Sequence, residues 1–469
     1  MKHSGYSGET KELPSILRSS WRPAAPPFAW TDALFYTSGQ GAGTVRLKEV
    51  SEAEARHPRQ LRQVNMDRVL AAAMTSAGPL TRAEITAATG LSAPTVGSLT
   101  AELVRLGLLS ERGRGPSTGG RRPHALQFDA RFGVVAGIVL DEAATRLAVA
   151  DLAGETLAAT EVATPPDDGP EPMLAWMGEQ VQALLADARV PSKRPLLAVA
   201  VGLPGATDRG RGTVVGLMPG FRSWEGLPVG ASLERQLGAP VVVENDVNLA
   251  VLGEHWRGAA QAHDTCVFIS LGVGIGAGIL IGGELHRGQH SLAGEIAVMC
   301  MGSQFLTEDF GSRGCLETLV GVDAIVRGWR PEAREDLARQ AQALLGAARA
   351  GDAAARQAIG DAATLIGMAA ASLGLVIDPS LLVLNGPLVE DGGDVLQQVR
   401  SVVSRIIPRP PKVVCSTLGD RAMLQGSLLV ATREARERLR GLLRDPRRLR
   451  NLHERLAAKG STTLLGTPA

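Results

Sequence analysis

The chain lacks the features that would tie it to an oxidising compartment, a membrane or a polyanion. Its four cysteines among 469 residues, Cys266, Cys300, Cys315 and Cys415, lie far apart without C-x-x-C spacing. No disulfide framework is expected, and the spacing suits reduced thiols in a cytosol. No uninterrupted apolar stretch is long enough to span a bilayer, and Met1 to Gly8 lacks the apolar segment of a signal peptide. The expected place is the cytoplasm, with no membrane partner. Charge of one sign is missing too: 49 Lys and Arg face 48 Asp and Glu, a formal net charge of +1. Any affinity for nucleic acid must then come from a local basic face.

What is present is enough hydrophobic content, 45% of residues, for ordinary cores in two or more domains. Residues 1–58 mix Ser, Gly and Pro with a few aromatics and show no sustained period, so they read as a disordered leader. From Arg62 the spacing turns helical, through Val64, Val69, Leu70 and Ala73, and ends at Ala77-Gly78-Pro79. Thr81 followed by Glu84 is a capping box for a second helix, Arg82 to Thr89. After a turn at Gly90-Leu91, Ser92 caps a third helix that carries Pro94 in its first turn and runs to Leu106. A strand at 108–111, a basic loop at 112–122 and a return strand at 123–128 complete a winged helix-turn-helix over residues 59–129. DNA contacts are expected from Arg82, Ser92, Thr95, Ser98, Arg114, Arg121 and Arg122, the loop arginines meeting phosphate. A small helical bundle with a polar loop is the competing reading.

The most informative stretch is Val241 to Glu317. Val241 to Glu244 reads as a buried strand that delivers Asn245 and Asp246 to its end, where open α/β sheets bind ligands. A second strand, Cys266 to Ser270, leads into a glycine-rich turn, Leu271 to Gly278, and a third strand, Ile279 to Ile281. A dinucleotide fingerprint needs a helix after the glycines, so the turn reads instead as a phosphate turn between strands. A hairpin is expected at 133–158, with Asp141 to Thr145 as its turn. Strands are expected at 197–201, with Gly202 to Gly205 at its end, and at 381–384. Ala-rich helices are expected at 332–350, 352–374 and 394–407.

Glu244-Asn245-Asp246, the 271–278 turn, Ala293-Gly294-Glu295-Ile296 and Gly314-Cys315-Leu316-Glu317 occur in the order and spacing of ROK proteins, a group of sugar kinases and sugar-responsive repressors that the chain resembles from about residue 130 to 430. The resemblance implies an actin-like, ribonuclease H-like α/β fold of two lobes over residues 130–432, the second lobe from about 264, followed by a basic helical tail at 433–469. That tail reads as a solvated face or as a contact for DNA or a second subunit. The 92–96 and 118–123 segments resemble the winged helix of ROK repressors. Ala93 and Gly97 stand where many relatives have a basic residue and a hydroxyl, so base contacts from this helix are fewer.

By the same resemblance, Asn245, Asp246, Glu295 and Glu317 match the family's sugar-hydroxyl contacts, with Gly205 beside them, and Trp224 matches a loop tryptophan near the sugar. Acids and amides suit vicinal hydroxyls because each can give or take two hydrogen bonds. For Glu295 and Glu317 taken alone, stabilising a helix start explains them as well. The phosphate-binding positions Asp141, Thr145, Gly272, Gly274 and Gly276 are read as degenerate: the kinases' two glycines are Ala143 and Ala144, a Thr is Val273, and Pro387 stiffens a third loop. Of the family's four zinc ligands the matching residues are Val298, Glu308, Phe310 and Cys315, so no metal and no cofactor are expected. The expected protein is a repressor, a homodimer or homotetramer on a DNA operator, that senses a sugar or sugar phosphate through a kinase-derived domain with a vestigial base, Asp246. An active sugar kinase that also binds DNA, and a DNA-binding protein controlled by a protein partner without a sugar, are the alternatives.

Overall fold

The computed structural model describes residues 58–114, 124–166, 168–187, 189–191, 194–216, 222–272, 274–310, 313–332, 337–389 and 393–443. The first three helices form where caps and apolar spacing predict them. α1 (Pro58–Thr75) begins a turn earlier than its apolar pattern, and β1 (Leu80–Thr81) is a short strand the sequence did not announce. α2 (Arg82–Thr89) has the full capping box of Thr81 and Glu84 and stops at Gly90, whose φ of 69° is a left-handed cap. α3 (Ala93–Arg105) is capped by Ser92 and buries Val96, Leu99, Thr100 and Leu103. β2 (Leu109–Arg114) and β3 (His124–Phe128) pair antiparallel, and β1 adds to β3 in the order β1-β3-β2. The wing tip between β2 and β3, with Arg121 and Arg122, lies outside the described residues.

The first lobe holds β4 (Val134–Val139), β5 (Ala144–Asp151), β6 (Thr156–Ala163), α4 (Pro170–Leu185), β7 (Leu196–Leu203), β8 (Ala206–Asp208), β9 (Thr213–Gly216), α5 (Val229–Leu237), β10 (Val241–Asn245) and α6 (Asp246–Arg257). In the second lobe come β11 (Cys266–Leu271), β12 (Ile275–Ile281), β13 (Glu284–Leu285), α7 (Cys315–Val320), α8 (Val322–Trp329), α9 (Leu337–Arg349), α10 (Ala353–Ile377), β14 (Leu381–Asn385), α11 (Asp394–Ile406) and β15 (Lys412–Cys415). The sheets run β6-β5-β4-β7-β10 and β13-β12-β11-β14-β15, each an antiparallel meander extended by two parallel strands. The two lobes therefore repeat one topology, the actin-like plan. In that repeat the β4–β5 and β11–β12 hairpins occupy equivalent places.

The last described helix, α12 (Arg421–Leu443), returns to the first lobe and lies along α6 and the first sheet. Its residues 433–443 are not a solvated tail, because Ala435, Leu439 and Leu443 are buried and the helix runs through the expected boundary at 432 unbroken. Helix α10 corrects another expectation: by length and composition it could cross a membrane. Here Ile359, Ala363, Ile366 and Ala370 are instead in the core of the second lobe.

α6 and α12 touch backbone to backbone. A β-carbon on Gly253 would lie 2.1 Å from the Ala422 carbonyl oxygen, and one on Gly426 would lie 1.8 Å from that of Leu249. Contact this close gives both helices dispersion along their whole interface and no room to slide separately. One buried cluster continues from Leu70 and Leu99 of the winged segment through Leu428 and Leu249 to Phe268 of the second lobe, all within one compact unit. The Gly426→Ala variant should lose about 2 kcal/mol or more and melt about 5 °C or more below wild type. Gly441→Ala, on the same helix with nothing within 4 Å, should melt at or above the wild-type temperature in the same scan.

Candidate functional site

β10 ends where α6 begins, so one short stretch sets the floor of the cleft. Asn245 caps α6, accepting from the Asn248 amide at 2.9 Å, while its Nδ2 donates to the Gly205 carbonyl at 3.0 Å and ties in the loop after β7. Both ends of its amide are thus engaged, and its established contact is structural. Asp246, half-buried, accepts from the Val247 amide at 2.8 Å. Burial, then the charges of Glu295 and Asp141, push its carboxyl up to about 7 against the opposing pull of that amide. Glu295, at the start of a short 3-10 turn, is raised to about 7 by burial and by Glu317. Glu317, buried in α7, is raised by burial; Arg313, 3.8 Å away, opposes the shift. Glu142, on the β4–β5 hairpin, is raised by burial and Asp141, with Arg313 again opposing. Four carboxylates at this cleft are thus held above their ordinary range, and Arg313 is itself shared with the buried Asp323.

Two residues organise this floor although neither was among the expected site residues, Glu244 having been read only as part of its motif. Glu244, 1% exposed, accepts from Arg287 at 2.9 and 2.6 Å, from Asn248 Nδ2 at 3.0 Å and from the Asn245 amide at 3.1 Å. A buried carboxylate with this many donors is fixed in place. Arg287 follows β13, so the pair joins the first lobe to the segment leading to Glu295. Nothing local to Arg287 could have signalled it, since its partner is 43 positions away.

The donor-phosphate side differs from the expected turn. Asp141 Oδ1 accepts from the Ala143 amide at 3.0 Å, which uses the first amide a phosphate would need. Thr145 is not in the turn: it lies in β5, fully buried, its hydroxyl 2.8 Å from that of Thr164. Gly272 and Gly274 do sit in the β11–β12 turn, closed by the Gly272 amide on the Gly274 carbonyl at 3.1 Å. Val273 lies outside the described residues. Gly276 belongs to strand β12, which starts four residues sooner than the glycine run suggested; a β-carbon there would sit 3.0 Å from Val247. That glycine serves the approach of α6 to the strand. Trp224 is fully buried in the first-lobe core, so it anchors its loop and offers no face to a carbohydrate. In the segment matched to a zinc site, Val298 is exposed, Phe310 tilts against Phe305 at 6.3 Å and Cys315 is buried at the start of α7.

On the winged segment the expected DNA-binding side chains are largely occupied by one another. The Ser92 and Thr95 hydroxyls are 2.8 Å apart. Arg82 donates to Thr100 at 3.2 Å and lies 3.8 Å from Glu111. Ser98 accepts from Arg62 of α1 at 3.3 Å, and Arg62 also pairs with Glu102 at 2.6 Å. Arg114 ends β2, but its side chain is outside what is described.

A raised carboxyl keeps its proton in the folded protein after the unfolded chain has released it. Asp246 and Glu295 thus contribute stability below about pH 4 that is lost as pH rises towards 7. Glu295→Gln removes that loss at one position and relieves Asp246. The variant should gain on wild type in melting temperature as pH is raised from 5 to 7; a difference that stays constant would contradict the assigned shifts.

Residues 135–434 match the family model described as ROK family. Over 250 residues the chain is 32% identical to a putative xylose repressor of Caldicellulosiruptor sp. (strain Rt8B.4), covering 53% of this chain. That match spans 61% of the repressor's own length, about three fifths. It is also 30% identical to a glucokinase of Streptomyces coelicolor over 317 residues, 63% of this chain and 96% of the kinase. Among solved structures, a ROK family transcriptional regulator described as a homologue of the E. coli MLC protein shares the fold with a TM-score of 0.66 at 23% identity, over 82% of this chain and 99% of that one. With a family model matched across both repeated lobes, the chain belongs to the ROK family.

Proposed function

We propose that the protein is a transcriptional repressor that binds a DNA operator as a homodimer or homotetramer and releases it on binding a sugar. In this reading residues 58–128 bind DNA and residues 130–443 form the sensor, which acts in the cytoplasm with no cofactor and no structural zinc. The observation that carries it is the course of α6 and α12. α6 starts at Asp246 in the acidic cleft and carries in its last turn the buried Glu254, which accepts from Ser416, from the Leu418 amide at 3.1 Å and from the Ala259 amide at 2.6 Å. Ser416 and Leu418 lead into α12. At the far end of α12, Arg440 grips Asp67 of α1 through two bonds of 2.7 and 3.0 Å, and Arg436 lies over the Phe128 ring at 5.7 Å. A ligand that displaces the start of α6 must move α12 with it, and α12 holds the winged segment.

The charge of the cleft selects the effector. Asp141, Glu142, Asp246, Glu295 and Glu317 gather at the cleft, and the guanidinium of Arg313, which acts on Glu142 and Glu317, is already engaged with Asp323. That surface favours the hydroxyls of a neutral sugar over a sugar phosphate, whose dianion it repels.

A kinase is the second reading, because Asp246 with a carboxyl near 7 has the protonation range of a general base. Against it, the Ala143 amide is taken by Asp141, Thr145 is buried, and Pro387 supplies no amide. Phosphoryl transfer depends mostly on positioning and charge stabilisation of the donor phosphates, which the base cannot replace.

The test uses one preparation, in which sugar affinity, operator affinity with and without sugar, and ATP turnover are measured for wild type and Asp67→Asn. Wild type should lose operator affinity by about 5- to 150-fold when a neutral sugar binds. Asp67→Asn should bind the sugar within about twofold of wild type while that loss shrinks towards none. Full release in the variant would show that α12 is not the link. Turnover abolished by Asp246→Asn would establish the kinase, and an operator response to no sugar at all would favour control by a protein partner.

A further inference from the structure

The recognition helix of this protein is poor in the side chains that read bases. Reading the major groove takes long, forked donors and acceptors, with arginine on guanine the commonest pairing, and helix-turn-helix proteins read from the N-terminal residues of the second helix. From Ser92 to Val104 the segment contains no Arg, Lys, Asn or Gln. Its exposed positions there are Ser92, Ala93, Pro94, Ser98 and Ala101, and the Ser92 hydroxyl is already bonded to Thr95. Arg105, the sole cation of α3, stands in its last turn.

A guanidinium is nevertheless held on the exposed face of α3, delivered by another helix. Arg62 of α1 reaches across to donate to Ser98 at 3.3 Å, in the second turn of α3, and to pair with Glu102 at 2.6 Å. Its side chain is 48% exposed, so it is not sealed into the α1–α3 contact. Met66, Val69 and Leu70 of α1 share one core with Val96, Leu99 and Leu103 of α3, which fixes the distance it spans. Glu102 has a second cation, Arg105 at 3.7 Å, so it keeps a partner if Arg62 turns outward.

We propose that Arg62 of α1 is the specificity-determining residue that α3 lacks: it reads a guanine edge in the major groove, with Ser98 aiming it and Glu102 holding it when no DNA is bound. The proposal rests on the DNA-binding reading above. It assigns to the first helix a role that helix-turn-helix proteins ordinarily give to the last.

The experiment is selection from a random duplex library by the full-length protein, repeated with Arg62→Ala and Arg62→Gln, followed by affinities for the wild-type motif and for its single-base changes. Wild type should select a motif with one guanine in each half-site that costs about 5- to 150-fold in affinity when replaced. Both variants should still select the rest of the motif but lose preference at that position, Arg62→Gln through adenine's matching edge if through any. A uniform fall in affinity at every position, with the salt slope reduced by about one, would make Arg62 a phosphate contact and overturn the proposal. An unchanged motif would reduce it to a clip between α1 and α3, with the same result. If wild type selects no motif, the DNA-binding reading itself fails, and this one with it.

Discussion

The crossing of α6 and α12 is the constraint on which the rest of the molecule depends. Two glycines, Gly253 and Gly426, let the helix backbones meet with no side chain between them. This places the two helices at the centre of one apolar cluster shared by the winged segment and both lobes. Helices packed so closely behave as one rigid body, because any relative shift either opens a void or forces atoms together. The buried Glu254 reinforces the crossing by gathering the loop that leads into α12. Everything functional hangs from that body: the acidic cleft at the start of α6, the β12 strand laid against it, and Asp67 at the far end of α12.

In the proposed reading the cleft differs from a kinase site on its donor side. Burial, and then the proximity of other carboxylates, raise the carboxyls of Asp246 and Glu295 above their ordinary range. Among the described residues of the donor side, Asp141 takes the Ala143 amide, Thr145 pairs with Thr164, and Gly276 lies against Val247. Groups that bond one another are less available to a phosphate, which is why the proposed ligand is a neutral one.

Much of the local structure was legible because it is encoded locally. The capping box of Thr81 and Glu84, the cap at Ser92, the short apolar runs of β7, β10, β11 and β14, and the motif order of the cleft all carry short-range signals. The misses share a cause. The glycine run after Leu271 read as one long turn, because a glycine in a strand and a glycine in a turn look alike until a neighbouring helix explains the missing side chain. Trp224 read mainly as a loop anchor, with carbohydrate stacking as the lesser alternative, and only its burial separates the two. Residues 433–443 looked like a solvated arginine-rich helix, since the surface that buries Ala435, Leu439 and Leu443 comes from elements far away in sequence.

The sequence by itself determined the residue types at the cleft, the caps and periods of the helices, and a charge balance that leaves only local basic faces. Those follow from neighbours a few positions apart. Tertiary structure alone decided which groups are free and which are spent. Glu244 finds Arg287 43 positions on, Asp67 finds Arg440 across 373, and Arg62 finds Ser98 and Glu102 on another helix. No periodicity or motif encodes such pairs, because each depends on where whole helices and sheets come to rest, and that is set by the burial of apolar faces over the entire chain.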